Sequence, residues 1–147
     1  MKGRYATMSD TIFCHFCGLD DSRIILANSH ALAIFDGFPV SPGHALIIPR
    51  RHIASLFDAT REEHAALFDL LAEMRQLLLN PTRSPLTQGS GLQLPDGFNI
   101  GINDGEAAGQ TVMHLHIHLI PRYAGDQPDP RGGVRWIFPD KANYWNS

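Results

Sequence analysis

The sequence predicts an α+β domain built on an antiparallel sheet, chiefly because of the order of its apolar segments. Short apolar runs come first, at residues 23–36 and 44–49; one amphipathic segment follows from Thr60, and two further runs lie at 98–103 and 113–121. Strands grouped before and after a single helix, instead of alternating with helices, favour antiparallel pairing. A chain of 147 residues suffices for one domain with one hydrophobic core.

The first predicted elements are three strands. Two apolar runs in residues 23–36 flank Asn28 and Ser29, which predicts a hairpin with its turn at that pair. The segment "HALIIP", residues 44–49, has the composition of a buried strand, and Pro49 ends it because proline cannot donate to a sheet. The turn-rich segment "DGFPVSPGH" separates the hairpin from this strand.

The main helix is predicted to begin at Thr60. Thr60 and Glu63 have the spacing of a capping box, and Asn80-Pro81 provides a stop. Apolar side chains recur at helical spacing between them; they are Leu67, Leu70, Leu71, Met74, Leu77 and Leu78.

The remaining segments are predicted from composition. Residues 81–97 are rich in proline, glycine and serine, which indicates an exposed loop. Two strands follow, "FNIGIN" and "MHLHIHLIP", and the aromatic residues of the tail are expected to dock on the body. We predict an N-terminal extension over residues 1–10 and a single domain over residues 11–147.

Composition excludes several classes of protein. The chain is 44% hydrophobic and 18% charged with a net charge of −3, and it has no basic block, so we expect no nucleic acid partner. It has no apolar run of bilayer length, and its first residues contain no hydrophobic signal core. We therefore expect no membrane partner and a cytoplasmic location, where cysteines stay reduced.

Three histidines carry the chemistry of this sequence. His114, His116 and His118 occupy alternate positions in "GQTVMHLHIHLIPR", residues 109–122. Alternate residues of a strand point to one face, so the imidazoles share one side while Leu115, Ile117 and Leu119 pack on the other. Such a row serves either metal ligation or acid, base and nucleophilic chemistry near neutral pH, and the spacing alone does not decide between them.

The segment "GQTVMHLHIHLIPR" resembles the signature of the histidine-triad (HIT) superfamily. Residues 32–53, "LAIFDGFPVSPGHALIIPRRHI", are similar to the strand and loop on the nucleotide side of that family, and residues 99–112, "NIGINDGEAAGQTV", to its phosphate-side loop. The tail "DPRGGVRWIFPDKANYW" resembles bacterial diadenosine polyphosphate hydrolases and related HIT proteins. The resemblance implies a HIT-like fold, an antiparallel sheet with one main helix, and a homodimer joined across a two-fold axis.

The resemblance also implies an activity. His116 would attack the α-phosphorus of an AMP-containing substrate, with a dinucleoside polyphosphate favoured, and water would then release the covalent nucleotidyl-histidine. A nucleoside phosphoramidase that cleaves P–N bonds is an alternative, as is a catalytically slow, nucleotide-binding regulatory protein. A third alternative is a metalloenzyme whose zinc is held by all three triad histidines.

Further site residues follow from the same resemblance. His118 would donate hydrogen bonds to phosphate oxygens, and His44 corresponds to the family's upstream active-site histidine. A purine nucleotide is the implied ligand, with no organic cofactor. The residues implied to bind it are Asp36 at the ribose; Ile34 and Phe35 at the base; and Asn103, Gly109, Gln110 and Thr111 at the phosphates or leaving group.

The pair of cysteines in "CHFC" indicates a metal site. Cys14 and Cys17 supply soft ligands at zinc-knuckle spacing, but a tetrahedral site needs two more. By resemblance to zinc-containing members, these are His52 and His114, which implies a structural zinc that ties the N-terminus to the sheet. His114 would then position His116 without transferring a proton. The alternative is a pair of free buried thiols.

Overall fold

The computed structural model describes residues 14–87, 91 and 93–146, so the predicted extension over residues 1–10 lies outside the described residues. The elements are β1 (Ile24–Ala27), β2 (Ala31–Phe35), β3 (Ala45–Pro49), α1 (Arg61–Leu79), β4 (Gly97–Gly101), β5 (Ile117–Arg122) and the short α2 (Pro139–Ala142). The five strands form one sheet in the order β1-β2-β3-β5-β4, and every neighbouring pair is antiparallel. The predicted α+β class with an antiparallel sheet and one main helix is confirmed.

The predicted hairpin forms between β1 and β2, and the side chain of Asn28 fixes its turn. Asn28 Oδ1 accepts hydrogen bonds from the backbone N–H groups of His30 and Ala31, at 3.1 and 2.9 Å. Its Nδ2 donates to the carbonyl of Ala66 on α1, at 2.8 Å. One amide therefore closes the turn and also ties the hairpin to the helix.

Helix α1 begins and ends where the sequence predicts. Thr60 Oγ1 accepts from the Glu63 N–H at 3.1 Å, and Glu63 Oε1 accepts from the Thr60 N–H at 3.3 Å, which completes the capping box. Asn80 is extended after the last turn, as a residue before proline prefers. The apolar face of α1 packs on β2 and β3 and forms the main core. Its fully buried members include Leu67, Leu70, Met74 and Leu78.

The loop predicted to be exposed at residues 81–97 is partly buried. Ser84 is fully buried and Leu86 joins the main core, so the prediction of a wholly exposed loop is wrong there. The Leu86 side chain lies against the backbone of Gly43, whose φ of +86° permits the turn before β3. A Cβ at Gly43 would meet Leu86 at 3.0 Å, so the loop supports the turn that leads into the site.

The aromatic residues of the tail, which we expected to dock on the body, stay largely exposed. Trp136, Phe138 and Tyr144 stay 46, 67 and 59% exposed. The tail is held by local contacts instead: the Arg131 guanidinium lies 4.5 Å from the Trp145 ring centre, and Trp136 Nε1 donates to the Arg131 carbonyl at 2.8 Å. Contact between an arginine side chain and an aromatic ring thus holds this segment, in place of packing into the core.

Candidate active site and metal-ligand cluster

Strand β5 begins later than the histidine alternation predicts. The strand was expected from residue 113, but its first residue is Ile117, and residues 112–116 are irregular. The cause is the backbone N–H of Leu115, which donates to the Ile53 carbonyl at 2.6 Å, outside the sheet. The alternation still holds for the core, because Leu115, Ile117 and Leu119 are all buried with α1.

Strand register defines the face on which the site lies. His118 pairs with Leu46, Leu46 with Ile34, and Ile34 with Ile24, so these side chains form one row across the sheet. Ile34 and Leu46 belong to a cluster separate from the core that contains α1. We call the side of this row the triad face.

The two residues predicted to wall the base pocket lie on opposite faces. Ile34 is fully buried on the triad face, next to Phe16. Phe35 packs against the core on the α1 side, with Ala45 and Leu119. Consecutive strand residues point in opposite directions, so Phe35 lies on the other face from Ile34, and its part in a base pocket stays a prediction.

His116 presents an unprotonated nitrogen in its neutral form. Its Nδ1 lies 2.8 Å from the carbonyl oxygen of His114, and a carbonyl can only accept, so Nδ1 carries the proton. A neutral imidazole has one N–H, which leaves the lone pair on Nε2. The His116 and His118 rings lie 5.1 Å apart between centroids, so this lone pair stands beside the third triad histidine.

A chain of hydrogen bonds determines the tautomer of His118. The backbone N–H of Val40 donates to His44 Nδ1 at 3.2 Å, so the proton of neutral His44 is on Nε2. His44 Nε2 lies 2.9 Å from His118 Nδ1 and donates to it. His118 therefore carries its own proton on Nε2, where it can serve as a hydrogen-bond donor.

His44 and His118 are both neutral at pH 7. The pKa of His118 falls from 6.5 to about 4, chiefly because of burial and also because of the charges of His116 and His44, against an opposing effect of Asp36. Burial also lowers the pKa of His44, and the Asp36 carboxylate partly opposes this shift. His44 and His118 thus offer N–H dipoles and no imidazolium charge.

Asp36 takes part in both a turn and the site. Its Oδ1 accepts from the Phe38 N–H at 2.9 Å, and its Oδ2 lies 3.4 Å from His44 Nε2. Asp36, His44 and His118 lie close enough together to bracket a cation. However, His44 Nε2 carries a proton and has no lone pair for a metal, so this group is a hydrogen-bond network.

The four predicted metal ligands converge. Cys17 Sγ lies 3.1 Å from His52 Nδ1, and the two sulfurs of Cys14 and Cys17 lie 3.4 and 3.5 Å from His114 Nδ1. Zn–S and Zn–N bonds of about 2.3 and 2.0 Å in a tetrahedron separate sulfur from nitrogen by about 3.5 Å. His114 Nε2 donates to the Pro49 carbonyl at 2.8 Å, so its Nδ1 lone pair faces the sulfurs.

The chemistry of the donor set also fits a cation. The two cysteines are free, and burial, with a hydrogen bond and charge from Cys14, raises the pKa of Cys17 to about 11. A metal ion would displace that proton, since thiolate is the form that binds metal. Two sulfurs and two imidazole nitrogens form the closed set that structural zinc prefers.

The glycine-rich loop before the triad is held by Gln110. Gly105 and Gly109 adopt φ values of +94 and +89° on either side of a short 3-10 turn, Glu106–Ala108. Gln110 is 5% exposed; its Oε1 accepts from the Gly105 N–H at 2.8 Å, and its Nε2 donates to the carbonyls of Ala54 and Val112 at 2.9 and 3.1 Å. Both donors of its amide bond within the protein, and the contact of Gln110 with phosphate or leaving group stays a prediction.

Exposed groups of the same loop remain available to a ligand. Asn103, Gly109 and Thr111 are exposed, and Thr111 lies in the sequence between Gln110 and the triad. That they meet the phosphates or the leaving group stays a prediction.

Residues 19–125 match the family model of the HIT domain. The chain belongs to the HIT family. It is 37% identical to an uncharacterised HIT-like protein of Mycoplasma genitalium over 80% of this chain and 76% of that protein. It is 31% identical to the AP-4-A phosphorylase of Mycobacterium tuberculosis over 73% of this chain, but this match covers only 50% of the phosphorylase.

Solved HIT structures have the same fold. A HIT family protein from Bacillus anthracis, 34% identical, superposes with a TM-score of 0.62 over 76% of this chain and 74% of that chain. A zinc-bound histidine triad protein from Mycobacterium smegmatis, also 34% identical, gives a TM-score of 0.59 over 81 and 86%. The HIT family comprises nucleotide-related hydrolases and transferases, which sets the broad class of this protein.

Sequence reasoning missed three contributors to this HIT site. Phe16, between the two cysteines, packs against the triad face, and its place inside "CHFC" was the available signal. The Val40 N–H and the Pro49 carbonyl determine histidine tautomers, and as backbone groups they leave no signal in the sequence.

Replacing Gln110 with alanine should loosen the phosphate-side loop. The change leaves the Gly105 N–H and two carbonyls without partners, so the free energy of unfolding should fall by about 1–3 kcal/mol. Hydrogen exchange of the Gly105 amide should quicken. The control is Glu106→Ala, an exposed position in the same loop. Unchanged exchange at Gly105 in the Gln110 variant would show that the Gln110 side chain does not hold the loop.

Proposed function

We propose that this HIT protein cleaves the α-phosphate linkage of an AMP-containing substrate through a covalent nucleotidyl intermediate on His116. The observation that carries the proposal is the tautomer pair on the triad face. Because His116 Nδ1 donates to the His114 carbonyl, His116 Nε2 holds a lone pair. Because His118 Nδ1 accepts from His44 Nε2, His118 Nε2 holds a proton. A nucleophile and a donor for the phosphate oxygens are thus set side by side.

The reaction follows from these atoms. His116 Nε2 forms a bond to phosphorus while the bond from phosphorus to the leaving group breaks. The ring becomes cationic, and the His114 carbonyl stabilises it by accepting from Nδ1–H. Water then attacks phosphorus, the bond from phosphorus to Nε2 breaks and returns its electron pair to the ring, and the proton of the water passes to solvent. The nucleoside monophosphate leaves, and His116 is again in its neutral tautomer. His118 Nε2–H donates to the phosphate oxygens as charge develops.

The substrate class we favour is a dinucleoside polyphosphate. The AP-4-A phosphorylase relative supports a substrate of that kind, as does the resemblance of the tail to diadenosine polyphosphate hydrolases. A nucleoside phosphoramidate would be cleaved by the same nucleophile and is the second candidate. A slow nucleotide-binding regulatory protein remains the alternative without catalysis, and a nucleophile already held in its reactive tautomer favours the enzyme.

The nucleotide would lie along the row that leads from His118. Asp36 would accept hydrogen bonds from ribose hydroxyls, and Ile34 would line the base pocket on the same face. Phosphates would meet the exposed side of the loop at Asn103, Gly109 and Thr111. Gln110 would hold this loop in place through its buried side-chain amide.

A structural zinc is part of the proposal. Cys14, Cys17, His52 and His114 would hold it, and it would fasten the N-terminal turn to the sheet. The zinc-bound relative from Mycobacterium smegmatis supports this ligand. The chemistry that zinc supplies here is structural, and the phosphate reaction uses the nitrogens of His116 and His118.

A homodimer in the cytoplasm completes the proposal. β4 is an edge strand of the sheet, and Ile100 on it is 46% exposed, as suits a strand that pairs with a second copy. Within the described residues, no helix is long and apolar enough to cross a membrane.

The test is intact-protein mass spectrometry after brief mixing with a diadenosine polyphosphate, and separately with an AMP phosphoramidate. We expect a mass increase of one AMP, followed by its release. Single-turnover rates with the two donors then rank the substrate classes. No adduct and no AMP from either donor would contradict the enzyme and leave nucleotide binding.

The imidazole of His118 should stay neutral down to about pH 5 and be half protonated near pH 4. Because burial lowers the pKa of His118 to about 4, its Nδ1 stays unprotonated above that pH. Below it, a proton on Nδ1 would face the Nε2–H of His44 and break the hydrogen bond between the two rings. The ring ¹⁵N signals of His118, followed by NMR against pH, measure the midpoint, and a midpoint near pH 6.5 would show that His118 titrates as an ordinary histidine.

The free energy of unfolding should depend on pH because of the same shift in the pKa of His118. The folded pKa of His118 lies below the unfolded value of 6.5, so the unfolded chain binds more protons in acid. The stability that neutral His118 contributes above pH 6.5 is therefore lost as the pH falls toward 4. Urea denaturation at pH 7.0, 5.5 and 4.5 measures it, and His118→Gln, which cannot titrate, should show a shallower loss.

A further inference from the structure

The turn between the two cysteines carries an aromatic ring that the proposed reaction does not use. The centroid of the Phe16 ring lies 5.3 Å from that of His116, with the planes at 68°, and 5.8 Å from that of His114, at 83°. Both geometries are edge-to-face contacts, which aromatic pairs favour. One side chain therefore touches the nucleophile and a candidate metal ligand together.

The orientation of His116 depends on three contacts. A hydrogen bond from Nδ1 to the His114 carbonyl holds one edge of the ring, at 2.8 Å. The rings of His118 and Phe16 flank it, with centroids at 5.1 and 5.3 Å. A hydrogen bond on one edge still permits the ring to tilt about that edge, and the flanking rings restrict the tilt. The direction of the Nε2 lone pair is thus set partly by Phe16.

Phe16 is itself held from two sides. Its ring is partly buried against Ile34, Leu46 and Ile48 on the triad face. The residues on either side of it in the turn, Cys14 and Cys17, contact the ring nitrogens of His114 and His52. The ring is therefore fixed both by the sheet and by the cysteine turn.

We propose that Phe16 is a positioning residue for His116, through which the Cys14–Cys17 turn orients the nucleophile. The inference rests on the proposed function of His116. It gives the N-terminal turn a role in the rate of the chemical step, in addition to the stability that a metal would supply. A near-attack geometry is sensitive to small displacements, so a loosened ring should slow bond formation without weakening substrate binding.

The test compares Phe16→Leu with the conservative variant Phe16→Tyr, with His15→Ala as the control at an exposed position of the same turn. Histidine ring nitrogens are observed by NMR in ¹⁵N-histidine protein without substrate, and zinc is counted in each purified variant. Adduct formation with a diadenosine polyphosphate is followed under single-turnover conditions. We expect Phe16→Leu to keep wild-type zinc, to shift or broaden the His116 signals, and to form the adduct about 10-fold more slowly at unchanged KM. Phe16→Tyr should restore both the signals and the rate.

Several results would overturn the proposal. A raised KM at an unchanged rate would mean that Phe16 contacts the base of the substrate and not the nucleophile. Wild-type His116 signals in Phe16→Leu would mean that the ring does not orient His116, and lost zinc would mean a purely structural role. If wild-type protein forms no adduct, the proposed function fails, and the NMR comparison still decides whether Phe16 orients His116.

Discussion

Replacing His116 with alanine should abolish the covalent AMP adduct and lower the rate of AMP release by at least about 10³-fold. The variant lacks the proposed nucleophile, the Nε2 lone pair that remains when Nδ1 donates to the His114 carbonyl. Loss of a nucleophile removes the covalent route altogether, and the residual rate comes from substrate binding and polarisation. Intact mass spectrometry and quenched AMP release measure the two effects.

The control for this variant is His30→Ala, an exposed histidine at the turn before β2. It should form the adduct at the wild-type rate. The zinc content of His116→Ala should equal that of wild type, which separates lost chemistry from lost structure. An adduct that persists in His116→Ala would assign the nucleophile to another histidine, with His118 the nearest candidate.

Removing a metal ligand should cost more stability than any other change discussed. Cys14→Ala leaves three donors, so bound zinc should fall well below one per chain. A ligand present at about 1,000 times its dissociation constant stabilises a folded chain by about 4 kcal/mol, and that contribution disappears with the site. Elemental analysis and thermal unfolding, in wild type with and without chelator, measure the loss.

Two control variants make this result specific. His15→Ala lies between the same cysteines, is exposed, and should retain both zinc and stability. His118→Ala should also retain zinc while it slows adduct formation, because His118 Nδ1 is occupied by His44 and not directed at the cysteines. Loss of zinc in His118→Ala would support the metalloenzyme in which all three triad histidines hold the ion.

The secondary structure could be predicted well because its signals are local. The capping box at Thr60, the hairpin turn at Asn28 and the end of β3 at Pro49 each depend on residues a few positions apart. The same applies to the core face of the triad segment, where apolar residues alternate with histidines. Residues far apart in sequence could be grouped into a site only through the resemblance to the HIT family.

The structure adds what the sequence did not indicate where neighbours distant in sequence decide the outcome. Ile34 and Phe35 looked equivalent until the position of α1 showed that they lie on opposite faces of β2. The Gln110 amide donates to the carbonyl of Ala54, which lies 56 residues earlier. In the tail, Trp145 and Tyr144 contact the guanidinium groups of Arg131 and Arg135.

The α+β class, the row of three imidazoles and the likeness to the HIT family all follow from residue type and spacing. Which nitrogen of each imidazole carries the proton depends on the folded structure. The Pro49 carbonyl determines the tautomer of His114, and the Val40 N–H determines that of His118 through His44. Backbone groups are identical at nearly every position, so their effect on a histidine depends on where the fold brings them.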